Sequence, residues 1–227
     1  MKRYGQQDNQ EAGEGRKESR RQAGPARSPV TRHVLFIQGG GEGAHDEWDD
    51  KLVANLERAL GFAYDIRYPR MPNERAPSFK AWSAALGREI ARLDDGAILV
   101  GHSIGGTILI HALAEQSKLL RNIAAIYLIA APFVGDGGWP SDDVVPRRDW
   151  TALFAGVTVC LYQGDADKTT PMTHLDLYAK AMPQAHVRRL KSRDHQLNND
   201  LSEIAEDIRR VGKPGQGCCR EKCPVSR

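Results

Sequence analysis

Ala97-Ile98-Leu99-Val100-Gly101-His102-Ser103-Ile104-Gly105-Gly106-Thr107 is the stretch that decides the fold. Four apolar residues without a polar interruption, 97–100, read as a strand buried on both faces. The run 107–113, nearly all apolar, reads as a buried helix. Between them lies the pattern G-x-S-x-G. A chain that passes directly from strand to helix at a serine strains that residue's backbone and holds its hydroxyl clear of the sheet. The flanking glycines leave room for the neighbouring strand and helix. The helix also aims its free N–H groups at the turn, where they favour developing negative charge. Ser103 is therefore the candidate nucleophile. The blander reading, a structural serine in a glycine-rich turn, does not call for a buried strand before it and a buried helix after it.

Working outward, the pattern of strand followed by helix repeats. Residues 34–37 form a short apolar run ending in glycines, and Trp48, Leu52, Val53, Leu56 and Leu60 follow at helical spacing. Residues 63–68 form a second strand, stopped by Pro69 and Pro72. Phe79, Trp82, Leu86, Ile90 and Leu93 mark one helical face, with Ser78 as its expected N-cap. Further strands are expected at 124–131, 157–161 and 187–190. A helix is expected from Pro171 with Thr170 as cap. A last helix carries Leu201, Ile204, Ala205 and Ile208, with Asp200 and Glu203 at capping-box spacing. Such alternation implies an α/β fold, a mostly parallel sheet with helices on both faces. Chemistry in such sheets sits at the carboxyl ends of the strands.

The chain has 227 residues and a formal net charge of +3. Residues 1–30 alone carry +3, and so do residues 213–227, which leaves the body between them at −3. The basic balance belongs to the ends, so no nucleic-acid footprint is read on the fold itself. Residues 1–31 and 213–227 are too polar to bury enough surface to offset their ordering entropy. They are expected to be disordered tails around one domain at 32–212. No apolar run approaches a membrane span, and no apolar region follows Arg20-Arg21 as a signal peptide would require. The expected location is the cytoplasm. Cys160 lies in an apolar strand and reads as core, while Cys218, Cys219 and Cys223 lack the paired spacing of a metal site. No metal and no cofactor are expected, and nothing in the pattern sets an oligomeric state.

A serine on such an elbow needs an acid and then a histidine later in the chain. The loop after the fifth strand reads Gly164-Asp165-Ala166-Asp167-Lys168-Thr169-Thr170-Pro171, so Asp165 and Asp167 compete for the acid. His195 alone of the seven histidines lies between the last strand and the last helix. His102 occupies the variable position of the elbow. His111 reads as a hydrogen-bonded core residue, His174 and His186 as surface residues, and His45 as a loop residue able to line the site. Gln38-Gly39-Gly40-Gly41-Glu42-Gly43 after the first strand offers bare backbone N–H groups for an oxyanion. Gly40 and Ile104 are the expected donors. The same glycines also fit a dinucleotide fingerprint. That reading needs an acid ending the second strand, and the strand ends Arg67-Tyr68-Pro69 instead.

From about His33 to Val211 the chain resembles the α/β-hydrolase superfamily. Within it, the chain more closely resembles the small serine hydrolases grouped with retinoblastoma-binding protein 9 and its bacterial relatives. The segments that carry the resemblance are 36–43, Arg67-Tyr68-Pro69-Arg70-Met71-Pro72, the elbow, Ala130-Ala131-Pro132-Phe133 and Asp194-His195-Gln196-Leu197-Asn198-Asn199-Asp200. The acid loop of that group commonly reads G-x-x-D-x-x-V-P. Gly164, Asp167 and Pro171 match it, with Thr170 in the valine position, so the resemblance favours Asp167 over Asp165. It implies a Ser103–His195–Asp167 triad that hydrolyses a small-molecule acyl substrate through an acyl-enzyme.

After the 124–131 strand, only about twenty residues precede the next element, too few for a multi-helix lid. Phe133 and Trp139 in this segment are the expected walls of an acyl pocket. Asp136, Asp142 and Asp143 should disfavour anionic substrates. Short neutral esters, of about two to six acyl carbons, are the expected substrates. Two alternatives stand beside this reading. The segment could be a surface loop whose aromatics pack on the body, and the chain could be a non-catalytic binding protein on the same fold.

Overall fold

A computed structural model of the chain describes residues 31–211. The expected tails, Thr31 apart, and the three C-terminal cysteines lie outside the described residues. Six strands form one all-parallel sheet: β1 (Arg32–Ile37), β2 (Tyr64–Arg67), β3 (Ala97–His102), β4 (Ile123–Ile129), β5 (Thr158–Gly164) and β6 (His186–Leu190). Their order is β2-β1-β3-β4-β5-β6. Five α-helices are described: α1 (Asp50–Leu60), α2 (Phe79–Ile90), α3 (Ser103–Glu115), α4 (Met172–Ala181) and α5 (Ser202–Arg210).

The continuous apolar runs arise because both faces of the sheet are covered and strand side chains alternate between them. Leu35, Leu99, Leu128 and Leu161 pack on one face against Trp82 and Leu86 of α2, Leu109 and Leu113 of α3, and Tyr178 of α4. The residues between them, including Val34, Phe36, Ile98, Val100 and Cys160, meet Leu52 and Leu56 of α1 and Ile204 and Ile208 of α5. Each such side chain contributes about 1.5–3 kcal/mol by leaving water. The strand order reverses between β1 and β3. The loops leaving these two strands therefore diverge and open a crevice at their carboxyl ends. No helix among the described residues is long and apolar enough to cross a membrane.

Helix starts differ from expectation where a loop residue is already committed elsewhere. Ser78 holds the N-cap position of α2, but its hydroxyl makes no capping bond. The Phe79 N–H donates instead to the Asp143 carboxylate, from the segment that follows β4. Asp143 thus ties that segment to α2, with its charge at the favourable end of the helix dipole. Asp143→Ala should lower stability by about 1 kcal/mol, the usual cost of a lost cap. The neighbouring Asp142→Ala should not, and urea unfolding midpoints of the two variants compare them. At α4 the cap position falls to Pro171, and Thr170 is held to the preceding elements, its N–H by Asp167 and its C=O by Gln163 of β5. At α5 the capping box does not form. Asp200 accepts the Ser202 N–H and pairs with Arg193, which delays the helix to Ser202.

Candidate active site

The elbow follows the steric logic of its sequence. Ser103 has φ 51°, a left-handed conformation that costs a non-glycine residue energy and persists only where the surroundings impose it. A Cβ at Gly105 would lie 1.9 Å from the Gln38 carbonyl oxygen, and one at Gly101 would lie 2.6 Å from Gly106 Cα. Helix and strands are thus too close for any side chain at these positions. The Ser103 hydroxyl emerges at the carboxyl end of β3, on the first residue of α3.

Three loops converge on it. Ser103 Oγ lies 3.0 Å from His195 Nε2, and His195 Nδ1 lies 2.8 Å from Asp167 Oδ2. The Asp167 side chain is wholly buried. Its Oδ1 accepts the Thr169 and Thr170 N–H groups at 2.7 and 2.9 Å, and its Oδ2 also accepts Gln163 Nε2–H at 2.6 Å. Burial opposes the charge on this carboxyl, but the bonds from His195 and from the Thr170 and Thr169 amides outweigh it and hold the pKa below the ordinary value. Asp165, the rival acid, is turned away. It accepts the Ser192 N–H at 2.6 Å and braces the loop that carries His195. A Cβ at Gly164 would lie 2.1 Å from the Arg193 carbonyl oxygen, so the acid loop and the histidine loop are in direct backbone contact.

The glycine loop follows β1. Its Gly39 N–H donates to Asp49 Oδ2 at 2.6 Å and its Gly41 N–H to the Glu74 carbonyl at 2.6 Å. Gly40, between them, has an N–H with no partner among the described residues, and a Cβ on it would lie 2.8 Å from Ile104 Cγ2. The structure therefore brings Gly40 beside Ile104, and Gly39 beside Ser103. Gln38 explains how the loop is held. It is fully buried, accepts the Met71 N–H at 3.0 Å and donates to Glu74 at 2.6 Å.

A cavity of about 210 Å³ opens over Ser103, between the glycine loop with Trp48 on one side and Thr169, His195 and Gln196 on the other. Phe133 and Trp139 do not line it, which corrects the expectation that they wall the pocket. Phe133 donates its N–H to His174 Nδ1 at 2.9 Å and sets its ring edge-on to Tyr178, while Trp139 stands edge-on to His174. These two aromatics pack on α4, while Asp143 of the same segment is bound to the start of α2. The same contacts make His174 buried, not a surface residue. His45 also stays out of the cavity, stacked on Tyr68 and bonded to Asp46.

Sequence reasoning missed two residues altogether. His102 and Asp49 are each 1% exposed and lie 2.9 Å apart, directly behind Ser103. The one available signal was a histidine in the elbow, and nothing marked Asp49 as its partner. No group of three or more metal-ligating side chains occurs among the described residues.

A parallel sheet, a strained serine at the end of β3, an acid in the loop after β5 and a histidine in the loop after β6 define an α/β hydrolase. The chain belongs to the α/β hydrolase family, whose model matches residues 34–214. Solved structures with the same fold include Est1E from Butyrivibrio proteoclasticus, at 15% identity and a TM-score of 0.60, covering 81% of this chain and 88% of that one. XC6422 from Xanthomonas campestris, described as an α/β serine hydrolase without a lid, is 16% identical with a TM-score of 0.54, over 83% of this chain and 87% of its own. The esterase domain of a Rhodothermus marinus protein is 18% identical with a TM-score of 0.55, over 80% and 86%. No curated protein sequence matches the chain.

Proposed function

We propose that the protein is a cytoplasmic serine hydrolase that cleaves short acyl esters through an acyl-enzyme on Ser103, in the manner of the small hydrolases grouped with retinoblastoma-binding protein 9. The observation that carries this reading is the unbroken chain from Ser103 Oγ to His195 to Asp167, at 3.0 and 2.8 Å. His195 Nε2 takes the serine proton as Oγ attacks the ester carbonyl. Asp167 keeps the other ring nitrogen protonated and stabilises the imidazolium that forms. The Gly40 and Ile104 N–H groups receive the oxyanion. His195 then protonates the departing alcohol, and a water activated by the same nitrogen releases the acid. The cleft volume of about 210 Å³ is below the usual range of ligand pockets, which supports a small acyl group.

Treatment with a fluorophosphonate, followed by mass-spectrometric mapping, tests the reading. The adduct is expected on Ser103, and a panel of neutral p-nitrophenyl esters is expected to favour short acyl chains. Folded protein that leaves Ser103 unmodified would overturn the proposal.

A further inference from the structure

The Asp49–His102 pair lies outside the catalytic chain, yet it joins the glycine loop, the elbow and the histidine loop. Asp49 closes a π turn, Ala44–Asp49, immediately before α1. Its Oδ2 accepts the Gly39 N–H at 2.6 Å and faces His102 Nδ1 at 2.9 Å. The Gln196 side chain, next to the base, also favours the ionised form of this carboxyl. The far nitrogen of the same imidazole, His102 Nε2, lies 3.1 Å from the backbone carbonyl of His195. A carboxylate and a carbonyl can only accept, so both ring nitrogens of His102 carry hydrogen and the ring is a cation. Burial opposes both charges, but each partner's opposite charge outweighs it. The Asp49 carboxyl is held below its ordinary value and the His102 imidazole above.

We propose that Asp49 and His102 are positioning residues for the hydrolysis: a buried carboxylate–imidazolium pair that holds the glycine loop, the elbow and the histidine loop in one register. The inference rests on the serine-hydrolase reading above. The peptide that bears the Gly40 N–H is anchored at Gly39 by Asp49, and the backbone that bears His195 is anchored by His102, the residue next to Ser103. Donor, nucleophile and base thus share one buried salt link. Charged hydrogen bonds are stiffer and more directional than neutral ones, and a misplacement of about 1 Å in such a site costs about 100-fold in rate. A pair that only filled space would need neither charge, since apolar side chains of the same volume cost less to bury.

The test measures kcat per active site, with sites counted by fluorophosphonate titration so that unfolded protein does not enter. Asp49→Ala is expected to lower the titrated kcat by about 100-fold with KM within about threefold. Asp49→Asn is expected to recover part of the loss, because its amide oxygen, in the place of Oδ2, can still accept both the Gly39 N–H and the His102 Nδ1–H. A purely structural pair would reduce the number of titratable sites and leave kcat per site unchanged, and that result would overturn the proposal. If Asp49→Ala does not fold, two measurements remain. His102→Gln should show the same fall in kcat with little change in KM, and unchanged kcat per site would overturn the proposal. Nitrogen-15 NMR of histidine-labelled wild type near neutral pH should show both His102 ring nitrogens protonated, and a single protonated nitrogen would also overturn it. Active wild type with unaffected variants sinks this inference alone. Wild type that neither labels nor turns over esters sinks the hydrolase reading first.

Discussion

Asp167→Asn should lower kcat by about 10⁴-fold, the size of the effect when this acid is neutralised in other Ser-His-Asp enzymes, while the fold survives. The surroundings of Asp167 dictate which way the new amide points. Its Oδ1 accepts two backbone N–H groups, from Thr169 and Thr170, so the asparagine oxygen must stay there. The amide nitrogen is then turned to His195 Nδ1, where Asp167 Oδ2 stood at 2.8 Å. Two donors cannot face each other, so Nδ1 loses its hydrogen and Nε2 gains one. An imidazole protonated at Nε2 has no lone pair for the Ser103 proton, and the base is disabled without being moved. The same turn leaves the amide facing Gln163 Nε2–H, which can keep its second acceptor, the Thr170 carbonyl, at 2.9 Å. Asp165→Asn is the control. Among the described residues its carboxylate accepts only the Ser192 N–H, a bond that an amide oxygen can also make. Steady-state kinetics on both variants, with thermal melts to establish folding, decide the matter. A larger loss at Asp165 would mean that the acid had been assigned to the wrong residue.

The features legible in the sequence are those that local sterics and burial dictate. The β3–Ser103–α3 turn could be read because only glycine fits at 101 and 105, where a Cβ would meet backbone at 2.6 and 1.9 Å. The strands could be read because two buried faces leave no polar position. Asp49 could not be read, because its role depends on a π turn that gives the residue a direction no regular helix would. Phe133 and Trp139 looked like pocket walls because aromatics among glycines beside a nucleophile elbow commonly are. Their actual partners, His174 and Tyr178, come from α4, some forty residues later, and no local pattern announces that packing. The polar residue Gln38 at the end of β1 gave a signal that went unread: a buried amide must bond to something, and here it clamps the loop that braces the glycines.

His111 is a buried polar residue of the opposite kind, and it should make the protein acid-sensitive. It lies in the middle of α3 at 3% exposure, its ring 4.7 Å from that of Trp150. The sequence reading expected hydrogen bonds there, yet neither ring nitrogen has a partner among the described residues. Burial alone pushes the imidazole down to about 4. In the unfolded chain the same group titrates near its ordinary value of about 6.5. As pH falls through 6.5 the unfolded chain takes up a proton that the folded one refuses, so stability declines until about pH 4, by about 3 kcal/mol in all. The carboxylates that support the fold act lower on the scale. Asp46 and Asp200 are held at about 2, so their contribution is lost only as pH falls below the ordinary carboxylate range. His102 acts in the opposite sense, and because its pKa is raised its contribution is complete by the time pH reaches 6.5. His174, lowered by burial, adds a loss of the same sign as His111. Comparing wild type with His111→Leu removes these shared terms. The variant should be more stable near neutrality, because two unpartnered nitrogens are gone, and its advantage should widen by about 3 kcal/mol between pH 6.5 and 4. Urea unfolding at a series of pH values measures this difference directly, and parallel stability curves for the two proteins would show that His111 takes up its proton as readily in the folded protein as in the unfolded chain.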